Sequence, residues 1–273
     1  MTLKKTIQQL KPYDPKKIVA DIYLDANEVN TSLNLILKQD KLNMVHRYPD
    51  HQGESLINGL VDTFGYEKSS LMIGSGSSEL LELIIKTYVN PNDCILSVDP
   101  TFVMYEQYAT IHGAQYIGIK ESDTILDDLY QAYLRYLPKV IFISNPNNPT
   151  GNYIQKKQLI DFIKKVTCVV VIDEAYIEYA SMKDTLAYDV NALSNIFVTR
   201  TFSKAWGLAG ARLGYVVSQP LNIQSLKLAK TPYSVSTLSL QLGVEALKKQ
   251  TQIFQNIQEI IQTRQVFYES LKD

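Results

Sequence analysis

Residues 139–173 read KVIFISNPNNPTGNYIQKKQLIDFIKKVTCVVVID and decide the fold, because two short apolar runs flank one helical pattern. The runs KVIFIS (139–144) and CVVVID (168–173) are rich in β-branched residues, which strands favour. Between them, QKKQLIDFIKKV (155–166) places apolar residues at the spacing of an amphipathic helix. Continuous apolar strands separated by a helix are typical of parallel strands buried on both faces. The stretch therefore predicts two parallel strands joined by a crossover helix.

The same alternation continues on both sides of this stretch, and we predict an α/β fold with a mainly parallel sheet sandwiched by helices. In such sheets, ligands bind outside the carboxyl ends of the strands. Further helices are predicted at 78–88, 102–113 and 125–137, and further strands at 71–74, 94–99, 114–119, 195–200 and 212–218.

The two ends of the chain differ from its middle. Residues 1–45 contain few strand patterns and are predicted to form an N-terminal arm and part of a small domain. Residues 46–250 are predicted to form the large domain, and residues 251–273 a long helix. The apolar stripe of that helix is left uncovered at the last residue, so we expect the helix to lead to a small domain that this sequence does not complete.

The composition narrows the class of protein. The chain has 273 residues, 45% of them hydrophobic and 20% charged, which is typical of a globular protein. A net charge of −1 gives no electrostatic reason to expect binding to nucleic acid or to an anionic membrane. Two cysteines and three histidines lack metal-ligand spacing, so no metal site is predicted. Without an apolar leader or a run of about 20 apolar residues, we expect a cytoplasmic protein.

A glycine-rich turn follows the first predicted strand, in LMIGSGSSELLEL (71–83). Glycines let the backbone approach an anion closely, and a helix N-terminus presents free N–H groups to it. Gly76, Ser77 and Ser78 are therefore candidates for binding a phosphate. A tight turn with a serine cap would give the same pattern.

Two more polar segments follow strands in the centre of the predicted sheet. In SNPNNPTG (144–151), prolines and a glycine fix an irregular loop that can aim the amide of Asn148, although a plain Asn/Pro turn reads the same way. In CVVVIDEAYIEY (168–179), Asp173 directly follows a buried strand, and Tyr176 lies three residues on. A buried carboxylate needs a cation or several donors. The alternative is that Asp173 caps the next turn.

The strand NIFVTR (195–200) leads into TFSKAWGLAGARLGY (201–215), which holds a lysine among small and apolar residues. A single lysine in such a setting is usually a surface residue whose stem lies along apolar neighbours. Here the candidates all fall at one edge of one predicted sheet, which makes coincidence a poor explanation. The segment and the turn DPTFVMY (99–105) add the candidates Thr201, Ser203, Lys204, Arg212 and Phe102. Phe102 is also a reasonable core aromatic.

Seven segments, in chain order, complete the pattern: DANE (25–28), RYPD (47–50), GSGSSE (74–79), DPTFVMY (99–105), NPNNPTG (145–151), DEAYIEY (173–179) and RTFSKAWGLAGARLGY (200–215). This combination resembles the fold-type I pyridoxal-phosphate aminotransferases, and among them the histidinol-phosphate aminotransferases. The resemblance implies pyridoxal 5′-phosphate as cofactor, a homodimer, and a ping-pong exchange of an amino group between histidinol phosphate and 2-oxoglutarate in histidine biosynthesis. Aromatic amino acid aminotransferases and threonine-phosphate decarboxylases share the scaffold and remain alternatives, as does a truncated, weakly catalytic protein that binds the cofactor.

The resemblance also implies a role for each candidate residue. Lys204 matches the lysine that carries the cofactor, and Asp173 the aspartate paired with its ring nitrogen. The remaining matches are Asn148 and Tyr176 for the phenolic oxygen, Phe102 for the stacked ring, Gly76, Ser77, Ser78, Thr201, Ser203 and Arg212 for the phosphate, Tyr48 for the partner subunit's phosphate, and Tyr13 and Asn27 for the substrate.

Two departures from the family pattern stand out. After DANE the chain reads VNTSLN, where the family usually has a Gly/Pro-rich loop that helps to close the site. Members of the family also continue into a C-terminal small domain with the arginine that binds the substrate's carboxylate or phosphate. We expect this sequence to lack that part.

Overall fold

A computed structural model describes residues 3–10, 26–29, 32–37, 39–42 and 44–272. In this part of the chain, seven strands form one sheet in the order β1-β7-β6-β5-β4-β2-β3. All neighbouring strands are parallel except where β7 pairs with β1 and β6, so the predicted mainly parallel sheet is confirmed. The strands are β1 (Leu71–Gly74), β2 (Cys94–Asp99), β3 (Gln115–Lys120), β4 (Val140–Ser144), β5 (Val169–Asp173), β6 (Ile196–Thr201) and β7 (Gly214–Ser218).

Helices cover both faces of this sheet. The central strands alternate between two apolar clusters: Ile141 and Ile143 of β4 belong to one, and Val140 and Phe142 to the other. Since both faces of the strand are buried, its sequence reads as one continuous apolar run. The helices are α1 (Gln39–Leu42), α2 (Glu54–Phe64), α3 (Gly76–Tyr88), α4 (Met104–His112), α5 (Ile125–Tyr136), α6 (Lys156–Ile163), α7 (Pro220–Ala229), α8 (Thr237–Lys248) and α9 (Gln250–Ser270). Residues of α3, α4 and α7 pack on one face, and residues of α2, α5, α6, α8 and α9 on the other.

The last strand has a direction that its sequence pattern does not indicate. The pattern at 212–218 predicts a strand, and β7 runs antiparallel to both of its neighbours. A parallel neighbour needs a crossover, usually through a helix, and the loop between β6 and β7 holds only the short 3₁₀ turn Ala209–Ala211. The chain therefore turns back and begins β7 at the edge where β6 ends.

This reversal brings the polar segments together. Gly214 at the start of β7 pairs with both Gly74 at the end of β1 and Thr201 at the end of β6. Further along the same edge, Asp173 at the end of β5 pairs with Ser144 at the end of β4. The carboxyl ends of these strands and the start of β7 thus share one edge, where ligands of such sheets bind.

Among the described residues, no helix has the length and apolar character to cross a membrane. No group of three or more His, Cys, Asp or Glu side chains in the same part is arranged to hold a metal ion. The domain boundaries at 45 and 250 stay predictions.

Candidate active site

A cavity of about 360 Å³ opens at the carboxyl edge of the sheet. Its volume lies within the range of small-molecule sites, roughly 300–1,000 Å³. The cavity brings together predicted residues from five separate segments: Ser77, Ser78, Phe102, Asn148, Asp173, Tyr176, Thr201, Ser203, Lys204 and Arg212 all line it. The residues chosen from strand ends therefore share one space.

One end of the cavity is built to accept an anion. The helix α3 begins at Gly76, directly after β1, and its first N–H groups have no partner within the helix. Gly76 has a φ of 76°, and a Cβ at this position would lie 2.9 Å from Nη2 of Arg212. A Cβ at Gly214 would lie 2.4 Å from the backbone nitrogen of Ser77, so glycine is needed here for β7 to pass the helix terminus.

The charged group at this end is the guanidinium of Arg212. Its Nη1 donates to Oγ of Ser203 at 3.4 Å, which places an arginine and a hydroxyl beside the helix terminus. Free N–H groups, a guanidinium and hydroxyls are the donors that bind phosphate in proteins. This end of the cavity fits a phosphate.

The other end holds a buried carboxylate. Asp173 is 3% exposed at the end of β5, and it accepts hydrogen bonds from Tyr105 Oη at 2.8 Å and Thr199 Oγ1 at 3.2 Å. Burial raises the pKa of the Asp173 carboxyl, and these two donors oppose the rise. A cation facing the carboxylate would oppose it further. The arrangement fits a ligand with a protonated ring nitrogen.

Tyr105 is the residue of this cluster that sequence reasoning missed. It is fully buried within α4, where an aromatic residue at helical spacing is indistinguishable from core. Its hydroxyl meets Asp173 across 68 positions of sequence, and no local pattern records that contact. Phe102 was singled out, and its ring meets Tyr105 edge-to-face with centroids 5.6 Å apart.

Lys204 lies between the two ends. Its side chain is half-buried, Nζ donates to the carbonyl oxygen of Ala26, and Nζ lies 5.6 Å from the ring centroid of Tyr176. The amide of Asn148 lines the same cavity from the loop after β4. An amine, an anion site and a buried carboxylate that line one cavity fit pyridoxal 5′-phosphate, which carries an aldehyde next to its phosphate arm and a ring nitrogen opposite the aldehyde.

Among the described residues, three predicted ones, Gly76, Tyr48 and Asn27, do not line this cavity. Tyr13 falls outside the described residues. Tyr48 is 82% exposed and stacks on Tyr233 with ring centroids 4.7 Å apart, so its role at a partner subunit stays a prediction. Asn27 donates from Nδ2 to Tyr176 Oη at 3.2 Å, which puts it next to a residue of the cavity.

A second, outer chamber of about 1,400 Å³ adjoins the cavity and shares Asn148 and Tyr176 with it. Asn27 lines this chamber together with Arg264 of α9. Arg264 is exposed, and its Nη1 donates to the carbonyl oxygen of Tyr179 at 3.4 Å. Sequence reasoning did not find Arg264, because a charged residue on an exposed helix face carries no local signal of a site.

A family model described as "Aminotransferase class I and II" matches residues 20–273. The histidinol-phosphate aminotransferase of Thermoanaerobacter sp. (strain X514) is 33% identical over 257 residues, which cover 90% of this chain and 72% of that protein. The enzyme of the same name from Clostridium novyi (strain NT) is 31% identical over 278 residues, covering 98% of this chain and 77% of that protein. The crystal structure of the histidinol-phosphate aminotransferase from Sinorhizobium meliloti in complex with pyridoxal-5′-phosphate matches with a TM-score of 0.85 at 25% identity, covering 96% of this chain and 75% of that one.

Proposed function

The chain belongs to the class I and II aminotransferases, which use pyridoxal 5′-phosphate, and we propose that it exchanges an amino group between histidinol phosphate and 2-oxoglutarate. One observation supports this choice of substrate. The sequence is 31–33% identical to two enzymes named for histidinol phosphate, over 90% or more of this chain. In this proposal the reaction follows a ping-pong course: the amino donor gives up its amino group and leaves as an oxo product before the 2-oxo acid binds. We also propose that the protein is a cytoplasmic homodimer in which Tyr48 reaches the partner's phosphate site.

Each end of the cavity holds one end of the cofactor in this proposal. When bound, pyridoxal 5′-phosphate supplies an aldehyde that condenses with amines and a ring that draws electrons from the substrate's Cα. The phosphate would be bound by the N-terminus of α3, Ser203 and Arg212. These contacts would fix the position of the cofactor's ring in the cavity. Asp173 keeps the ring nitrogen protonated, since its buried negative charge is stabilised by a proton there.

The residues between the two ends move and direct protons. Lys204 would supply the amine that holds the cofactor, and its free amine would take the proton from the substrate's Cα. General base transfer of this kind typically contributes 10²–10⁴-fold to the rate. Asn148 and Tyr176 donate to the phenolic oxygen of the cofactor, and Asn27 holds the hydroxyl of Tyr176 from the other side, at 3.2 Å. Phe102 covers one face of the ring.

The outer chamber is the place we propose for the substrate's far end. It begins at Asn148 and Tyr176, where the reacting carbon would lie, and it continues to Arg264. Within the described residues, the exposed guanidinium of Arg264 donates to the carbonyl oxygen of Tyr179 at 3.4 Å, and a guanidinium has further N–H groups that suit an anion. Histidinol phosphate carries its phosphate on the carbon next to the amine-bearing carbon, so the outer chamber would receive the phosphate beside the reacting carbon.

A substrate panel tests the proposal. The holoenzyme is mixed with histidinol phosphate, with aromatic amino acids and with threonine phosphate, and product formation with 2-oxoglutarate is measured for each. Histidinol phosphate should give the highest kcat/KM, with parallel double-reciprocal plots for the two substrates. Preference for an aromatic amino acid, or release of carbon dioxide from threonine phosphate, would replace the proposed substrate with that alternative.

A further inference from the structure

A fully buried ion pair lies behind the cavity and is not used by the proposed mechanism. The side chains of Arg200 and Glu178 are 0% and 2% exposed, and Nη2 lies 2.7 Å from Oε1. Removing two charges from water is costly, and apolar residues in their place are often as stabilising. The pair therefore calls for an explanation other than stability.

The same oxygen of Glu178 also accepts a hydrogen bond from the loop that carries Lys204. Trp206 Nε1 donates to Oε1 at 3.1 Å, and the indole is 1% exposed. Trp206 lies two residues after Lys204, and Glu178 lies two residues after Tyr176. One carboxylate oxygen thus links β6, the turn that carries Tyr176 and the loop that carries Lys204.

The surroundings of Arg200 keep this carboxylate in place. Nη1 of Arg200 donates to Tyr66 Oη at 3.2 Å, and the rings of Phe64 and Tyr215 lie 5.7 and 5.9 Å from its guanidinium carbon. Glu178 is the acidic residue that pairs with Arg200 in the described chain. Since the guanidinium is enclosed by aromatic rings, the position of Glu178 is set by its charge partner rather than by solvent.

The Lys204 loop is buried through Phe202 and Trp206, and within the described residues the hydrogen bond from Trp206 to Glu178 is the side-chain hydrogen bond that joins it to the segment of Tyr176. Backbone bonds close the loop on itself, from Leu208 to Phe202 at 2.9 Å and from Gly207 to Lys204 at 2.9 Å. These bonds fix the shape of the loop but not its distance from Tyr176. The bond from Trp206 to Glu178 does link the two segments.

We propose that Glu178 is a positioning residue that acts through Trp206 to fix the Lys204 amine relative to Tyr176. This inference rests on the proposed roles of Lys204 and Tyr176. Misplacing a reacting group by about 1 Å can cost on the order of 100-fold in rate. In this proposal the ion pair holds two parts of the site at one distance.

The test uses Trp206→Phe, which removes the indole N–H, keeps a ring, and leaves the ion pair intact. The matched control is Phe254→Leu, because Phe254 packs edge-on against the same indole, with centroids 6.1 Å apart, and makes no contact with Glu178 through a hydrogen bond. Both changes loosen the packing around position 206. Trp206→Phe alone removes the link to Glu178.

Three measurements are made on the holoenzymes: kcat, thermal unfolding, and the pH dependence of the cofactor's visible absorption, which reports on its linkage to Lys204. Trp206→Phe should lower kcat roughly tenfold or more and shift the midpoint of the absorption titration, while Phe254→Leu lowers the unfolding temperature only. Equal effects of the two variants on kcat, or an unmoved midpoint in Trp206→Phe, would overturn the proposal.

A second variant checks the acceptor itself. Glu178→Gln keeps an oxygen for the indole but removes the charge, so it should retain more of kcat than Glu178→Ala. The chain has one tryptophan, so the indole N–H gives a single signal in the ¹H–¹⁵N spectrum of labelled protein. That signal should exchange slowly in the unmodified protein and quickly in Glu178→Ala; fast exchange in the unmodified protein would also overturn the proposal. The absorption and exchange readouts need no substrate, so a failure of histidinol phosphate to react would contradict the proposed substrate alone.

Discussion

Removing the hydroxyl of Tyr105 tests whether the buried Asp173 cluster supports catalysis. In Tyr105→Phe the ring remains stacked on Phe142, with centroids 4.7 Å apart, so the change is confined to one hydrogen bond. That bond joins Tyr105 Oη to Asp173 Oδ2 at 2.8 Å, and both side chains are buried. Burial and the neighbouring carboxylate raise the pKa of Tyr105 well above its ordinary value, so the hydroxyl remains a donor at every working pH.

The magnitude follows from the charge of the acceptor. A hydrogen bond to a charged group contributes about 1.5–3 kcal/mol, and Thr199 remains as a weaker donor at 3.2 Å. Because 1.4 kcal/mol is about a factor of ten, the carboxylate form of Asp173 becomes roughly ten- to a hundredfold less favoured relative to its protonated form. We expect kcat/KM to fall by a similar factor.

The assay compares three holoenzymes: the unmodified protein, Tyr105→Phe and Tyr88→Phe. Tyr88 belongs to the same side of the sheet and packs on Phe197 with ring centroids 5.5 Å apart, but it does not hydrogen-bond to Asp173. Cofactor affinity, measured by titrating apoprotein, should weaken in Tyr105→Phe and not in Tyr88→Phe. If both variants retain the kcat/KM and affinity of the unmodified protein, the reasoning about the Asp173 carboxylate is wrong.

Three further predictions concern other parts of the site. Lys204→Ala should lose amino transfer and the visible absorption that depends on its amine, while still binding the cofactor's phosphate; activity above background in purified protein would contradict its role. Burial raises the pKa of Glu174 from 4.5 to about 7, so the native protein holds a proton that the unfolded chain releases over this range. The free energy of unfolding should therefore fall by something on the order of 3 kcal/mol as the pH rises through this window, and Glu174→Gln should lack that component in denaturant titrations at about pH 5 and about pH 8. Arg264→Gln should raise KM for histidinol phosphate with little change in kcat, and an unchanged KM would remove the outer chamber from the substrate's path.

Much of the fold could be predicted because buried parallel strands leave a direct mark on the sequence. Residues 140–143 and 169–172 are all apolar, and they lie in strands β4 and β5. The direction of β7 left no such mark. A strand buried on both faces reads the same in either direction, and its orientation is set by the length and content of the preceding loop.

The candidate site also has a part that the sequence predicts and a part that it does not. Residues at or shortly after the carboxyl ends of strands, such as Asp173 and Lys204, were accessible to sequence reasoning because parallel strands bring these ends to one edge of the sheet. The contacts that complete the site come from distant segments: Lys204 meets the carbonyl of Ala26 across 178 positions, and Tyr105 meets Asp173 across 68. Pairings of this kind depend on packing, for which local patterns give no evidence.

The alternation of side chains along a strand explains how one segment serves both the cavity and its support. On β6, Thr199 turns its hydroxyl to Asp173 on the cavity side, while the next residue, Arg200, points to the opposite face and pairs with Glu178. At the end of β5, Asp173 faces the cavity and the next residue, Glu174, faces the opposite side. Glu174 accepts hydrogen bonds there from Leu186 N at 2.8 Å and from the hydroxyl of the preceding residue, Thr185. Successive residues of an extended chain face opposite sides, so a polar pair at a strand end supplies one group to the ligand and one to the packing behind it. The buried side chains of Arg200 and Glu174 therefore each lie one residue away from a group on the cavity side.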